Sequence, residues 1–341
     1  MAKEAASSGL TTEERTPATA PAAGGRSRVT EFLLARRELS ILAVALLLAV
    51  YFQSVNSAFG TQGNLRTLAQ FTAATAIISA GLVMLLICGE IDLSVGQAYG
   101  FMPIAMYIAD QTMVLPVAIL VGLAATAVIG LINGVVTIYL RVPSFITTLG
   151  MLFLLNGLNV TLTDGFPKTT PEESTLTNAL GGEWAGIVWA LIIVFLMHVL
   201  LTRTRWGLHT FATGGNLVGA QEAGVKVSRI KIGNFILCSV LGGFAGLLDA
   251  LRIESIDPLA GGPNIMFAAV SAAVIGGTAL AGGVGTIIGA FFGTVVLSIL
   301  QNGFSLQGVD AYTYNIILGI AILIAMTANV YVGRLRRMGG R

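Results

Sequence analysis

Apolar residues along this chain come in long runs separated by short polar punctuation, rather than alternating with polar ones. Ten runs read as membrane-crossing helices, within a few residues 39–56, 67–88, 93–109, 113–140, 144–163, 184–202, 231–252, 265–281, 284–303 and 312–332. Several are short or broken by Gly or Pro. The pattern predicts an all-α polytopic membrane protein of about ten transmembrane helices.

One punctuation mark differs from the others. Gly89-Glu90-Ile91-Asp92-Leu93-Ser94-Val95-Gly96 puts two carboxylates between two apolar runs. A charge at mid-membrane costs roughly 2.5–3.5 kcal/mol on insertion scales, so this stretch belongs at an interface, on an aqueous path or at a break between helices. Asp92 is placed to N-cap the following helix. A matching break follows the seventh run, at Asp257-Pro258 and Gly261-Gly262-Pro263, and a third spans Ile275 to Gly285. Non-helical backbone at such depth is tolerated only where protein or water covers it.

Charge then orients the runs. With the N-terminus in the cytoplasm, 16 of the 19 Lys and Arg fall inside and only Arg66, Lys168 and Arg252 fall outside. That bias predicts an N-in, C-in topology with an even number of spans. The expected organisation is a disordered cytoplasmic tail over 1–38, a membrane domain over 39–333 with one sizeable cytoplasmic loop at 203–230, and a basic cytoplasmic tail over 334–341. Met1 to Gly25 is rich in Ala, Ser, Thr and Pro, without the apolar core of a signal peptide.

Composition agrees with the pattern. Hydrophobic residues make up 55% and charged residues 11%, well below the usual ~25% charged of soluble domains. The 42 glycines are scattered through the apolar runs, as close helix packing in membranes requires. Cys88 and Cys238 read as small buried hydrophobes. An internal repeat is also visible. Asn133-Gly134 precedes Leu149-Gly150 by the same interval as Asn302-Gly303 precedes Leu318-Gly319, and Ile91-Asp92 and Ile256-Asp257 lie upstream of each pair. The copies cover spans 2–5 and 7–10, and on this topology they are inverted. Inverted repeats are a common transporter build, with the solute site between them.

The chemistry of enzymes is missing from the sequence. There is no phosphate-binding Gly-x-x-x-x-Gly-Lys-[Ser/Thr] loop, no nucleophile elbow, no His/Cys/Glu cluster at metal spacing, and His198 and His209 stand alone. Polar residues within the runs are the better lead. Glu90, Asp92, Ser94, Gln97, Asn133, Asn156, Asp257 and Asn302 are candidates for lining a translocation path, with Asp92 and Ser94 on its inner half beside the Asp257 break. Asn, Gln and Thr with few fixed charges suit a neutral polyhydroxylated solute, which needs donors and acceptors. The same residues would also serve as interhelical hydrogen-bond glue. In the 203–230 loop, Asn216 can N-cap a short helix, Leu217 to Ala223, which Gly224 can end. With basic flanks and a small apolar face, that helix fits either a groove on a soluble partner or the lipid headgroups.

Three stretches together, GEIDLSVG at 89–96, FATGGNLVGAQEAGVKV at 211–227 and AAVIGGTALAGGVGT at 272–286 with its preceding DPLAGG, resemble the permease subunits of bacterial ATP-binding cassette (ABC) importers for monosaccharides of the ribose/xylose/galactose type. VPSFITTLG at 142–150 is similar to the same family, and the resemblance runs from about residue 60 to 332. It implies a ten-span permease in the bacterial cytoplasmic membrane that pairs with a second permease, as a homodimer. It further implies a separate cytoplasmic ABC ATPase that hydrolyses ATP, and an extracytoplasmic sugar-binding protein. No cofactor, metal or nucleic acid is implied for the chain itself. The implied ATPase-coupling helix is the 216–224 segment, with Asn216, Gly219, Ala220, Glu222, Ala223 and Gly224. Glu90 departs from the Gly-Gly-Ile-Asp that usually opens the family's first motif, and Asn264 to Phe267 stands where the family usually carries an acid. Two rival readings are a branched-chain amino-acid-type ABC permease and an ATP-independent secondary carrier using Glu90 or Asp92.

Overall fold

The computed structural model describes residues 37–310, 312–320, 323 and 327. The expected tails, apart from Arg37 and Glu38, and much of the tenth run lie outside the described residues.

The architecture is all-α. The main helices are α1 (Arg37–Val55), α2 (Gln62–Ile87), α3 (Val95–Asp110), α4 (Leu115–Tyr139), α5 (Ser144–Thr163), α6 (Thr175–Gly181), α7 (Ala185–Arg203), α8 (Arg205–Gly215), α9 (Leu217–Glu222), α10 (Val227–Ile253), α11 (Gly262–Ile275) and α12 (Ile287–Leu306). Seven of these, α1, α2, α4, α5, α7, α10 and α12, are long and apolar enough to cross a membrane. The other two expected spans that are fully described are shorter, α3 with 16 residues and α11 with 14. The eighth run, expected over 265–281, therefore stops early: Gly276 caps α11 and Gly277 takes φ +91, a left-handed conformation that closes the helix. Residues 312–320 are helical, and Asp310 accepts hydrogen bonds from the amides of Tyr312 and Thr313 at their start. The Thr313 hydroxyl and amide hold the exposed Asp310 carboxyl below its usual range.

Burial divides the helices by role. In the apolar window of α2, 83% of residues are buried, against 11% for α1. Wide apolar faces of α1, α4, α5 and α7, including Leu47, Leu120, Phe153 and Phe195, stay exposed. The centre is made by α2, α3, α10 and α11, with α2 and α3 each packing on both α10 and α11. Outside them the packing is reciprocal: α4, which follows α3, packs on α10, and α12, which follows α11, packs on α2. Glycine permits these approaches. At Gly246 of α10 a Cβ would overlap the carbonyl oxygen of Tyr99 in α3, so only a missing side chain lets the two backbones meet.

The bundle has two distinguishable ends. At one, Arg66 near the start of α2 pairs with Glu183, and Arg252 lies at the end of α10. Here a two-stranded antiparallel ladder sets β1 (Lys168–Thr169) against β2 (Ser255–Ile256), with Lys168 opposite Ile256. The three basic residues that charge counting set apart thus gather at a single end. At the other end lie the C-terminus of α2, the N-terminus of α10, and α8 with α9.

Candidate functional site

The break between α2 and α3 is built from side chains. Gly89, at φ +75, turns the chain off α2. Asp92 is fully buried and accepts from the Ser94 amide at 2.8 Å, the Ser94 hydroxyl at 2.6 Å and the Ser239 hydroxyl of α10 at 3.4 Å. Asn133 of α4 donates to the Ser94 hydroxyl at 2.8 Å. Three sequence-derived candidates, Asp92, Ser94 and Asn133, thus form one network with Ser239. The cap differs from the expectation. Ser94 occupies the N-cap position of α3, and Asp92 binds the amide of Ser94 instead of one inside the helix. The extra turn residue arises because Ser94 already has helical φ and ψ.

Glu90 leaves that network. Its carboxylate accepts from Lys231 Nζ of α10 at 2.5 Å, with side-chain exposures of only 12% and 13%. Removing one partner of so buried a pair strands a charge, at a cost of about 3–5 kcal/mol.

Gln97 forms a second site. It donates to Asn156 at 3.4 Å and accepts from Asn159 at 3.3 Å, both on α5. Asn156 is exposed on a membrane-length helix, whereas Asn159 is buried. Tyr99 faces elsewhere, donating to Asp249 of α10 at 2.5 Å. Gln97 and Tyr99 thus face different partners, because α3 is regular through both.

The break before α11 is built from backbone. Asp257 accepts from the Leu259 amide at 2.9 Å. Its junction with the first break runs through glycines: a Cβ on Gly96 would overlap the carbonyl oxygen of Gly262, and one on Gly261 that of Gly96. The two breaks do meet, but through main chain rather than through Asp92 and Asp257. Asn302 of α12 is separate again, exchanging hydrogen bonds of 2.8 Å with Asn64 of α2 in both directions.

At the Arg66 end, a cleft of about 360 Å³ is lined by Arg66, Gln70, Glu173, Asn178, Glu183, Arg252 and Glu254. Arg252 pairs there with Asp249. Sequence reading missed this cluster because its members come from α2, α6, α10 and the loops between.

At the opposite end, Asn216 caps α9 as expected, accepting from the Gly219 amide at 2.9 Å. The helix stops at Glu222, one residue sooner than expected. Ala223 is its C-cap, and Gly224 follows at φ +80. Ala220 is buried, while Leu217 and Val218 are exposed at 43% and 62%. The preceding α8 was not foreseen. Its Trp206 donates to Asn234 of α10 at 2.8 Å, and its Gly214 packs on the Ile87 carbonyl of α2. The arrangement as a whole is a polar seam inside an apolar bundle.

Residues 64–326 match a family model described as branched-chain amino acid transport system / permease component. Among curated proteins, the xylose/arabinose import permease of Sulfolobus acidocaldarius is 36% identical over 88% of this chain and 86% of its own. The ribose import permease of Escherichia coli K12 is 35% identical over 89% of this chain and 96% of its own. The galactose/methyl galactoside import permease of Haemophilus influenzae is 33% identical over 73% of this chain and 81% of its own. No solved structure matches the chain.

Proposed function

The chain belongs to the branched-chain amino acid transport system / permease component family, and from that premise we propose that it is the membrane-spanning subunit of an ABC importer for a monosaccharide. It resides in the cytoplasmic membrane and moves a pentose or hexose by alternating access. ATP hydrolysis belongs to a separate ATPase subunit, and a sugar-binding protein delivers the solute from the other side. A second copy of the permease completes the path.

The observation that carries this reading is α9. A six-residue helix is too short to stand alone in water. This one is held by its Asn216 cap and a buried Ala220 while it presents Leu217 and Val218 outward. Such a helix suits a groove on a soluble ATPase, and the chain lacks a nucleotide loop of its own. On this reading the end bearing α8 and α9 is cytoplasmic, in keeping with the N-in, C-in topology of ten spans that the charge bias predicts. The reciprocal packing of α2–α4 with α10–α12 supports an inverted repeat. The translocation path uses the sequence-derived candidates unequally: Gln97 and Asn156 offer amide donors and acceptors to a polyol, while Asp92, Ser94 and Asn133 seal its inner half.

The substrate class favours a sugar over an amino acid because the interior seam is amide and hydroxyl around the buried Asp92 carboxylate, and Lys231 is already paired with Glu90. Two experiments separate the rivals. A pull-down of the binding protein followed by ligand identification should return a monosaccharide; a branched-chain amino acid would replace this reading. Dissipating the proton gradient should leave uptake intact, and abolition of uptake would identify a secondary carrier.

A further inference from the structure

We propose that Lys231 and Asn234 of α10 are positioning residues that lock the end of α2 to α8, so that a displacement of α9 is passed directly to the Glu90–Ser94 break. The proposal rests on the reading of α9 as the ATPase contact. Three joints converge on the end of α2 and the turn that follows it. Lys231 holds Glu90 at 2.5 Å in a nearly buried pair. Asn234, wholly buried, donates to the Met84 carbonyl at 3.2 Å, to Cys88 Sγ at 3.2 Å and to Thr210 Oγ1 of α8 at 3.3 Å. Its remaining oxygen accepts from Trp206 Nε1 of α8 at 2.8 Å. One side chain therefore ties α8, α10 and α2 together and uses both of its polar ends to do so.

The third joint is backbone. Gly214 sits so close to Ile87 that a Cβ would overlap the Ile87 carbonyl oxygen, and the same oxygen accepts from the Gly283 amide at 2.8 Å. Two residues further on, Asn216 ends α8 and caps α9. No flexible linker separates the exposed Leu217 and Val218 from the turn that carries Glu90 and Asp92. Packed elements with no slack transmit displacement as rigid bodies. Lys231 supplies the countercharge that makes a buried Glu90 tolerable.

Cys88 gives a readout inside the joint. It is 3% exposed and is covered by Asn234 and Thr210. The test uses a Cys238→Ser permease reconstituted with its ATPase and binding protein, labelled with N-ethylmaleimide and assayed with whichever of ribose, xylose or arabinose the complex takes up. Lys231→Met should raise Cys88 labelling about tenfold and lower sugar moved per ATP about tenfold, while hydrolysis changes less than about twofold. The Glu90→Lys, Lys231→Glu exchange should restore both readouts towards those of the unexchanged protein. Glu90→Gln with Lys231→Gln removes the pair without stranding a charge, and should reproduce the labelling even where Lys231→Met fails to insert. Unchanged labelling in the charge-free double variant, or hydrolysis and uptake falling in parallel, would overturn the proposal. Absence of ATP-driven sugar uptake by the starting complex would instead overturn the functional reading and leave the labelling comparison standing.

Discussion

The break before α3 holds a carboxylate wholly inside the protein, whereas the break before α11 leaves its carboxylate half-buried in a turn. Both breaks precede a short helix and occupy equivalent places in the reciprocal packing of the bundle. The first is held by the side chains of Ser94, Asn133 of α4 and Ser239 of α10 around Asp92, and by Lys231 on Glu90. The second is held by main chain packed on Gly96 and Gly100. Side-chain hydrogen bonds can be remade with new partners when helices shift, whereas a close backbone contact has no alternative partner. On the proposed mechanism the first break would move and the second would act as its bearing.

The largest expected effect separates the two acids. Asp92→Ala leaves the Ser94 amide, the Ser94 hydroxyl and the Ser239 hydroxyl short of a buried partner. Its cost should be about 3 kcal/mol in stability, together with loss of uptake. Asp257→Ala gives up one turn hydrogen bond and should cost about 1 kcal/mol. Thermal unfolding of the detergent-purified proteins checks both, and equal losses would erase the contrast between the breaks.

Glycines give the next comparison. Gly261→Ala meets both a φ of +85 and the Gly96 carbonyl, and should destabilise by about 2 kcal/mol. Gly89→Ala meets a φ of +75 but open space, so about 1 kcal/mol is expected. Denaturation midpoints in that order support a rigid second break, and the reverse order argues against it. Gly224→Arg also faces open space, at φ +80, with backbone strain of about 1 kcal/mol. It should insert normally yet uncouple ATP hydrolysis from uptake, measured as sugar moved per ATP. Wild-type coupling in that variant would move the ATPase contact away from α9. The smallest effect is expected at Asn302→Leu, which severs both hydrogen bonds with Asn64, outside the Asp92 network. Its uptake should stay within about twofold of wild type, at a stability cost of ~1 kcal/mol.

Legibility in the sequence followed the range of the interaction. The Asn216 cap and the Gly224 stop were readable because they act within one turn, and Gly89-to-Gly96 announced a break because carboxylates cannot sit idle in lipid. The α11 stop was obscured by apolar residues that continue past Gly276 and Gly277, where only the backbone conformation changes. Short helices such as α6 and α8 carry no long apolar run and left no signal. Lys231 was counted as one more cytoplasmic charge, since nothing local links it to Glu90, 141 positions away. Asn133 and Asn302 looked equivalent by repeat spacing, yet one donates to Ser94 and the other pairs with Asn64. Periodicity and charge thus fixed the class of fold, while partner identity waited on the packing.

The most direct test of the account is uptake into proteoliposomes. This chain, reconstituted with its ATPase, should accumulate a monosaccharide only when ATP is inside and a loaded sugar-binding protein is outside, and omitting any one of the three should abolish accumulation. Sugar uptake by the chain alone, without ATPase or ATP, would contradict it.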